Sequence, residues 1–409
     1  MQQKHLVVIG GGAAGFFCAI NAAEKNRNLQ VTIIEKTANV LSKVKISGGG
    51  RCNTTHACFD IDALSKNYPR GERFLKKAFH WFNSNDTIKW FANRGVELKT
   101  ETDGRMFPTT NSSQTIIDCL LKDVNKLGIK IVLQTTVQAI EKNGNSWQIN
   151  CLQKPSIEAN YVCIAVGGFP RIAQFNWLTN LGHTIEMPVP SLFTFNMPKN
   201  PITALMGLSM PNVYVKIIGT KFSAQGPVLI THWGLSGPVI LKLSAFAARE
   251  LANKNYEFSI LVNWCGMQHN YDSIKQVLLN EKNTKATQKI CNTNLLNIPK
   301  RLWQCFTDHC SISNDQTWAN ATSQQINLLA TTLTQQVFSI NGKTTFKEEF
   351  VTCGGIKLNE IDVNTMQSKL HANLFFVGEV LDIDGVTGGF NFQNAWTTGY
   401  IAAKAISAL

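Results

Sequence analysis

Residues 6–9 (LVVI) form an unbroken apolar run that meets Gly10 at once. Residues 13–23 are small and apolar, and residues 31–34 (VTII) are a second apolar run ending in Glu35. A short apolar run bounded by turn residues reads as a buried strand, and a longer small-residue stretch as a packed helix. The start of the chain therefore predicts strand, glycine turn, helix, strand, which is one βαβ unit. After Gly48, Gly49 and Gly50 the pattern becomes polar and helical. There Phe74, Phe79, Phe82, Trp90 and Phe91 make an aromatic stripe that reads as core. An amphipathic helix is predicted over 115–128, followed by strands over 129–134, 136–142 and 146–152. Residues 161–168 (YVCIAVGG) read as another buried strand ending in glycines.

From about Phe195 the pattern changes to short alternating strands and turns, at 213–219, 228–237 and 256–264. A Lys/Asn-rich helical stretch occupies about 270–335, and near Phe350 the glycine-rich α/β character resumes. Residues 373–377 (NLFFV) predict a late strand running into Gly378 and Glu379, then a turn and a small-residue helix. A chain of 409 residues is long for one core. The expected fold class is α/β, a Rossmann-like cofactor domain made of 1–194 and 341–409. A β-rich domain (195–269) and a small helical domain (270–340) are expected as insertions.

Composition narrows the class. Hydrophobic residues are 44% and charged residues 16%, which excludes a disordered chain. No apolar run approaches bilayer-spanning length. The first apolar stretch runs straight into glycines, unlike a secretory signal, so a cytoplasmic protein is expected. Eleven cysteines without a CxxC pair predict reduced thiols and no structural metal. The formal net charge is +12, and a basic field raises encounter rates with polyanions. Basic residues cluster at Lys66, Arg70, Arg73, Lys76, Lys77, Lys89 and Arg94. A second cluster is Lys275, Lys282, Lys285, Lys289, Lys300 and Arg301.

The first chemical motif is Gly10-x-Gly12-x-x-Gly15. Its glycines permit a tight turn, close backbone approach to a pyrophosphate, and close helix–strand packing. Glu35 ends the next strand, where a ribose 2′-hydroxyl acceptor is required. This unit alone fits NAD and FAD equally. The discriminating segment is at the other end, where Gly378 and Glu379 end a strand. Gly388, Gly389, Phe390 and Asn391 then open a helix. In FAD folds of the two-dinucleotide type, such a strand end meets the ribitol and pyrophosphate, and the helix N-terminus faces the isoalloxazine. Glu379 stands where that pattern has Asp. No second GxGxxG is present, so a separate NAD(P)H domain is not expected.

KISGGGRCN (45–53), CIAVGG (163–168), THWGLSGP (231–238), VTCGGI (351–356) and GEVLDIDGVTGGFNFQNAWTTGY (378–400) run in order along the chain. With these segments the chain resembles the BaiN/YhiN (RdsA) family of FAD-dependent oxidoreductases, over nearly its whole length. Cys353 departs from the alanine of the family's pattern. The resemblance implies a Rossmann-like FAD domain of two-dinucleotide type, an inserted β-barrel and a small helical domain. It also implies FAD as cofactor and NAD(P)H as transient reductant. Family activities include reduction of bile-acid dienones, oxidation of aminoacetone, and reduction of a ribosomal RNA uridine to dihydrouridine.

The expected cofactor contacts are Gly10, Gly12, Ala13, Ala14, Gly15, Glu35, Lys36, Lys43, Ser47, Gly48, Gly49, Arg51 and Cys52. Further along they are Val137, Ala165, Gly167, Gly168, Gly378, Glu379, Asp382, Gly388, Gly389, Phe390 and Asn391. Cys52, Asn53 and His232 are the catalytic candidates. Adding hydride to C6 of uracil requires a proton at C5, and a thiol with a reference pKa of about 8.5 is protonated at neutral pH. Against this, Cys52 can equally be a small packing residue, and His232 a structural one. Asp384 reads as shaping the turn. Two substrate classes stay open: a uridine in 23S ribosomal RNA, with the basic segments on phosphates, or a small enone, dienone or aminoketone. No metal and no membrane are expected as partners.

Overall fold

The computed structural model describes residues 3–293, 295–345 and 351–409. Phe350, near which the glycine-rich pattern was expected to resume, falls outside them. The chain divides into two compact units. One comprises 1–191 and 347–409, the other 192–346.

The first unit is built on a parallel sheet of five strands. These are β1 (His5–Ile9), β2 (Gln30–Ile34), β3 (Lys130–Val132), β4 (Tyr161–Ile164) and β5 (Leu374–Phe376), in spatial order β5-β4-β1-β2-β3. Every pairing is parallel. Strands buried on both faces need continuous apolar sequence, and β4 and β5 are buried throughout. Three smaller antiparallel sheets decorate this unit among the described residues, one of them made of the strands Thr55–His56, Arg105–Pro108 and Leu98–Thr100.

Helix α1 (Ala13–Lys25) follows β1, and helix α2 (Phe390–Ser407) follows β5. They pack together at Gly399, where a Cβ would stand 2.9 Å from the Ala14 carbonyl oxygen. The rings of Phe17 and Trp396 meet at 5.1 Å. The expected aromatic stripe closes the rest of this core: Phe79, Phe82, Trp90 and Phe91 are buried. Buried hydrogen bonds fix the start of α2. Thr55 and Thr87 hydroxyls donate to Gln393 Oε1 (2.6 and 2.9 Å), and Tyr68 OH donates to the Phe390 carbonyl (2.7 Å). Thr55, Thr87, Tyr68 and the Gln393 side-chain carbonyl oxygen are thus partnered, as a low-dielectric interior demands.

The second unit has a sheet of seven strands. In spatial order they are Gln336–Asn341, Glu257–Asn263, Ser209–Ile217, Ser223–Ile230, Gly234–Ser236, Thr194–Asn196 and Lys343–Thr344. The first and last are consecutive in the chain and separated by Gly342 (φ +96°). The helices Tyr271–Thr284, Lys300–His309 and Ser323–Gln335 share one hydrophobic core with these strands, from Phe193 through Trp264, Trp303 and Trp318 to Ile340. The strand-rich and helical stretches, expected as separate domains at 195–269 and 270–340, lie in this one unit.

Candidate functional site

The glycine turn after β1 is shaped by contact rather than by flexibility alone. Gly10 has φ +118°, and a Cβ there would stand 2.3 Å from the Ala165 carbonyl oxygen at the end of β4. A Cβ on Gly15 would meet the Gly10 carbonyl oxygen at 2.0 Å, so α1 starts against the turn. Gly12 differs, because no protein atom lies within 4 Å of its Cβ position. Gly12 caps α1 without a side-chain hydrogen bond, and the first turn holds no acidic residue. The N–H groups around Ala13 and Ala14 therefore keep the positive end of the helix dipole.

Glu35 lies beside this turn. Its Oε2 accepts from the Gly11 N–H (2.9 Å), and its Oε1 accepts from the Thr37 N–H and hydroxyl (both 2.9 Å). A carboxylate offers about four lone-pair sites, so roughly one acceptor direction is left over. Lys36 is exposed, with its ammonium over the Phe169 ring (5.6 Å).

The SGGGRCN loop ends a kinked helix, Ser42–Gly50. Ser47 is extended (ψ 146°), while Gly48, Gly49 and Gly50 all have positive φ. Three such residues in a row need glycine. The Cβ positions of Gly49 and Gly50 also meet no protein atom within 4 Å. Arg51 stacks on Phe107 (4.0 Å) and pairs with Glu101 (2.6 Å).

Cys52 is fully buried with φ +60°, and burial pushes its thiol up to about 11 despite bonds from Thr54 and Ser47. A protonated thiol fits the acid role, but this one is shielded from solvent. Asn53 holds the start of α2. In the amide orientation that satisfies both ends, it accepts from the Gly389 N–H (3.0 Å) and donates to the Thr55 carbonyl (3.1 Å).

The C-terminal segment lies in the same unit. Gly378 (φ +75°) ends β5 and donates its N–H to Thr398 Oγ1 (2.9 Å). Glu379 accepts from Lys43 Nζ (2.8 Å) and from the Thr352 N–H (2.9 Å). Gly168 passes so close that a Cβ would stand 2.9 Å from Glu379 Oε1, and Gly167 takes φ +75°. The structure thus brings Lys43, Gly168 and Glu379 together from three distant stretches. Gly388 and Gly389 both have positive φ, and Gly389 caps α2 with no side-chain bond and no acid in the first turn. Phe390 is buried and stacks on His56 (4.6 Å). Asn391 is occupied at both amide atoms by Gly385 (2.8 and 2.9 Å). The Asp382 N–H donates to the Ile356 carbonyl (3.0 Å). Val137 pairs with Cys151 in a peripheral hairpin.

Sequence reasoning missed one cluster. Asp384 is buried, with Arg70 donating to both carboxylate oxygens and Ser191 to one. Burial raises its pKa, and the Arg70 charge and hydrogen bonds oppose that shift. Their separation of 314 residues left no local signal. Arg70 is thereby withdrawn from the basic segment, and Lys76 pairs with Asp62, Arg94 with Glu24 and Asp123. Residues 66–94 belong to the unit with the parallel sheet. His232 belongs to the second unit, exposed in the turn before Gly234–Ser236, with its ring against Trp233 (4.4 Å).

These features fit a ligand carrying ribose and pyrophosphate. Two helix N-termini of one unit are capped by glycine alone, and Gly12 leaves room for close approach. Among the described residues no group of His, Cys, Asp and Glu could hold a metal ion, and no helix is long and apolar enough to cross a membrane.

Residues 4–405 match the family described as "HI0933-like protein Rossmann domain". The chain is 28% identical to the ribosomal RNA dihydrouridine synthase of Haemophilus influenzae, with 99% of each chain covered. It is 28% identical to the enzyme of that name from Escherichia coli, covering 100% of this chain and 99% of the other. It is 26% identical to the 3-dehydro-bile acid delta(4,6)-reductase of Clostridium scindens, covering 98% and 99%. Among solved structures, 3-ketosteroid delta1-dehydrogenase from Sterolibacterium denitrificans shares the fold at a TM-score of 0.51 and 11% identity, covering 98% and 99%.

Proposed function

The chain belongs to the HI0933-like family of Rossmann-domain proteins, and from that premise we propose that it is an FAD-dependent reductase. Its substrate on this reading is a uridine of 23S ribosomal RNA, reduced to dihydrouridine with NAD(P)H as the transient electron source. The observation that carries the flavin is the pairing of two glycine-capped helix starts, α1 and α2, with Glu35 in one unit. The full-length likeness to two enzymes named for ribosomal RNA supports the substrate.

When bound, FAD supplies hydride chemistry at its ring. The protein's part is to hold and orient it. Glu35 would accept from the ribose, the N–H groups after Gly12 would meet the pyrophosphate, and Lys43 with Glu379 would flank the ribitol. The N-terminus of α2, fixed by Asn53 and Gln393, would place partial positive charge beside the reduced ring. The 45–51 loop and Gly167–Gly168 are assigned to the same cradle. Of the catalytic candidates, Cys52 becomes a packing residue beneath the loop, Asn53 fixes the start of α2, and His232 lies in the second unit. The second unit's seven-strand ladder, whose end strands are joined through Gly342, is the part of the chain we assign to the inserted barrel that the family resemblance implies.

Nucleoside mass spectrometry of ribosomal RNA from a deletion strain tests the substrate. One dihydrouridine should disappear and return on complementation, and unchanged RNA would overturn the assignment. A small enone or dienone is the second reading, favoured by the reductase of Clostridium scindens. It predicts turnover of such compounds by the flavin-loaded enzyme without RNA.

A further inference from the structure

The second unit carries a groove of about 340 Å³ on its sheet, at the end of strand Glu257–Asn263. Tyr214, Asn263, Met267, His269, Tyr271 and Gln335 line it. That volume lies near the lower end of the roughly 300–1,000 Å³ found for small-ligand sites. Side chains alternate along a strand, and Ser209–Ile217 buries Val213, Val215 and Ile217 while turning Asn212, Tyr214 and Lys216 outward. Register places Tyr214 between Gln225 and Asn263 on the neighbouring strands.

The walls are held in place before any ligand arrives. Gln225 accepts from the Met267 N–H (3.1 Å) and donates to Asn212 Oδ1 (2.5 Å). Asn263 donates to the His269 carbonyl (2.7 Å) and accepts from the Cys265 N–H (2.9 Å). Tyr271 OH donates to Asn327 Oδ1 (3.2 Å). Two cations stand near: Lys216 on the same strand face as Tyr214, and Lys275 with its ammonium 5.8 Å from the Tyr271 ring centre. The local carboxylate is Asp272. Through residues 192–346, Lys and Arg outnumber Asp and Glu about two to one.

Aromatic rings and amide groups beside a cationic rim match an unpaired base on its phosphate backbone. We propose that this groove binds a single-stranded segment of RNA, one base stacking on Tyr214 or Tyr271 and the flanking phosphates meeting Lys216 and Lys275. The inference deepens the ribosomal RNA reading and rests on it. The groove adds a docking contact distinct from the uridine being reduced.

The test uses the FAD-loaded full chain and an unstructured uridine-rich RNA oligonucleotide followed by fluorescence anisotropy. Tyr214→Ala should weaken binding about tenfold, the scale of one lost base–aromatic stack. Tyr214→Phe should bind like the parent, and flavin content and melting temperature should not change in either. Equal binding by Tyr214→Ala and the parent would overturn the groove while leaving the substrate reading intact. RNA binding that depends on Tyr214, with no dihydrouridine formed, would keep the groove and remove the catalytic reading. Photocrosslinking with 4-thiouridine RNA should label the peptide containing Tyr214 or that containing Tyr271, and crosslinks confined elsewhere would overturn it. A concentration-dependent dimer in light scattering that Tyr214→Ala dissolves would give the face to a second copy, also overturning it.

Discussion

Cys52 shows how much a single position can hide. From the sequence it sits beside glycines in a loop suited to a flavin, where it reads as a proton donor or as a small packing residue. The structure buries it and raises its pKa to about 11. A proton donor must reach its acceptor within hydrogen-bonding distance, and a shielded thiol does not. Cys52→Ala should therefore keep product formation within about twofold, whereas loss of a true general acid costs roughly 10²–10⁴-fold. Single-turnover reoxidation of the reduced enzyme by substrate measures this directly. His183 offers a second test. It is buried and bonded to Glu360 (2.8 Å) and Ser368 (3.0 Å), and burial lowers its pKa below the ordinary 6.5 although Glu360 raises it. The unfolded chain then binds the proton more readily than the fold does. Stability should rise with pH across the window just below 6.5 and fall on acidification. Urea titrations from pH 5 to 7.5 should show that slope, and His183→Gln should flatten it.

Among elements, the βαβ start was legible because each of its parts leaves a local mark. β1 and β2 are continuous apolar runs, Gly10 and Gly15 are spaced for the turn, and Glu35 ends a strand. The glycines have different tasks, which spacing alone could not tell apart. Gly10 is confined by the Ala165 carbonyl, while no protein atom lies near the Cβ position of Gly12. Gly10→Ala should lower the melting temperature of the flavin-free protein, as overpacking costs about 1–3 kcal/mol. Gly12→Ala should leave that temperature unchanged and reduce bound flavin, read from the visible absorbance after gel filtration. If Gly12→Ala retains full flavin, the pyrophosphate does not approach there. The Asn53–Gly389 and Thr55–Gln393 bonds were not legible, because partners more than 330 residues apart share no pattern.

At the scale of the molecule, alternation begins near Phe195, close to where the second unit starts at residue 192. It did not show that the strands and helices of 192–346 share a core. Periodicity reports which face of an element is apolar, not which neighbour covers it. Net charge was also incomplete as a guide, since Arg70, Lys76 and Arg94 are spent on carboxylates of their own unit. The charge that remains makes a prediction. Affinity for RNA should fall steeply with salt, its logarithm linear in log salt with a slope of about −0.7 per phosphate contact for single strands. A small-molecule enzyme would show a nearly flat affinity for its substrate in the same titration. Anisotropy at several potassium chloride concentrations distinguishes the two.

The packing of α2 along α1 carries a consequence for how the protein is made. The two helices are separated by more than 360 residues, and β5 reaches the sheet only after the whole second unit has been synthesised. During translation the second unit is contiguous and can fold from its own residues. The sheet of the first unit meanwhile waits with β4 unpaired on one side and the part of α1 that Gly399 packs against uncovered. Long-range closure of this kind is slow and leaves apolar surface exposed. The nascent chain should therefore expose apolar surface until residues 374–407 emerge, and the proposed flavin cradle should be among the last features to form.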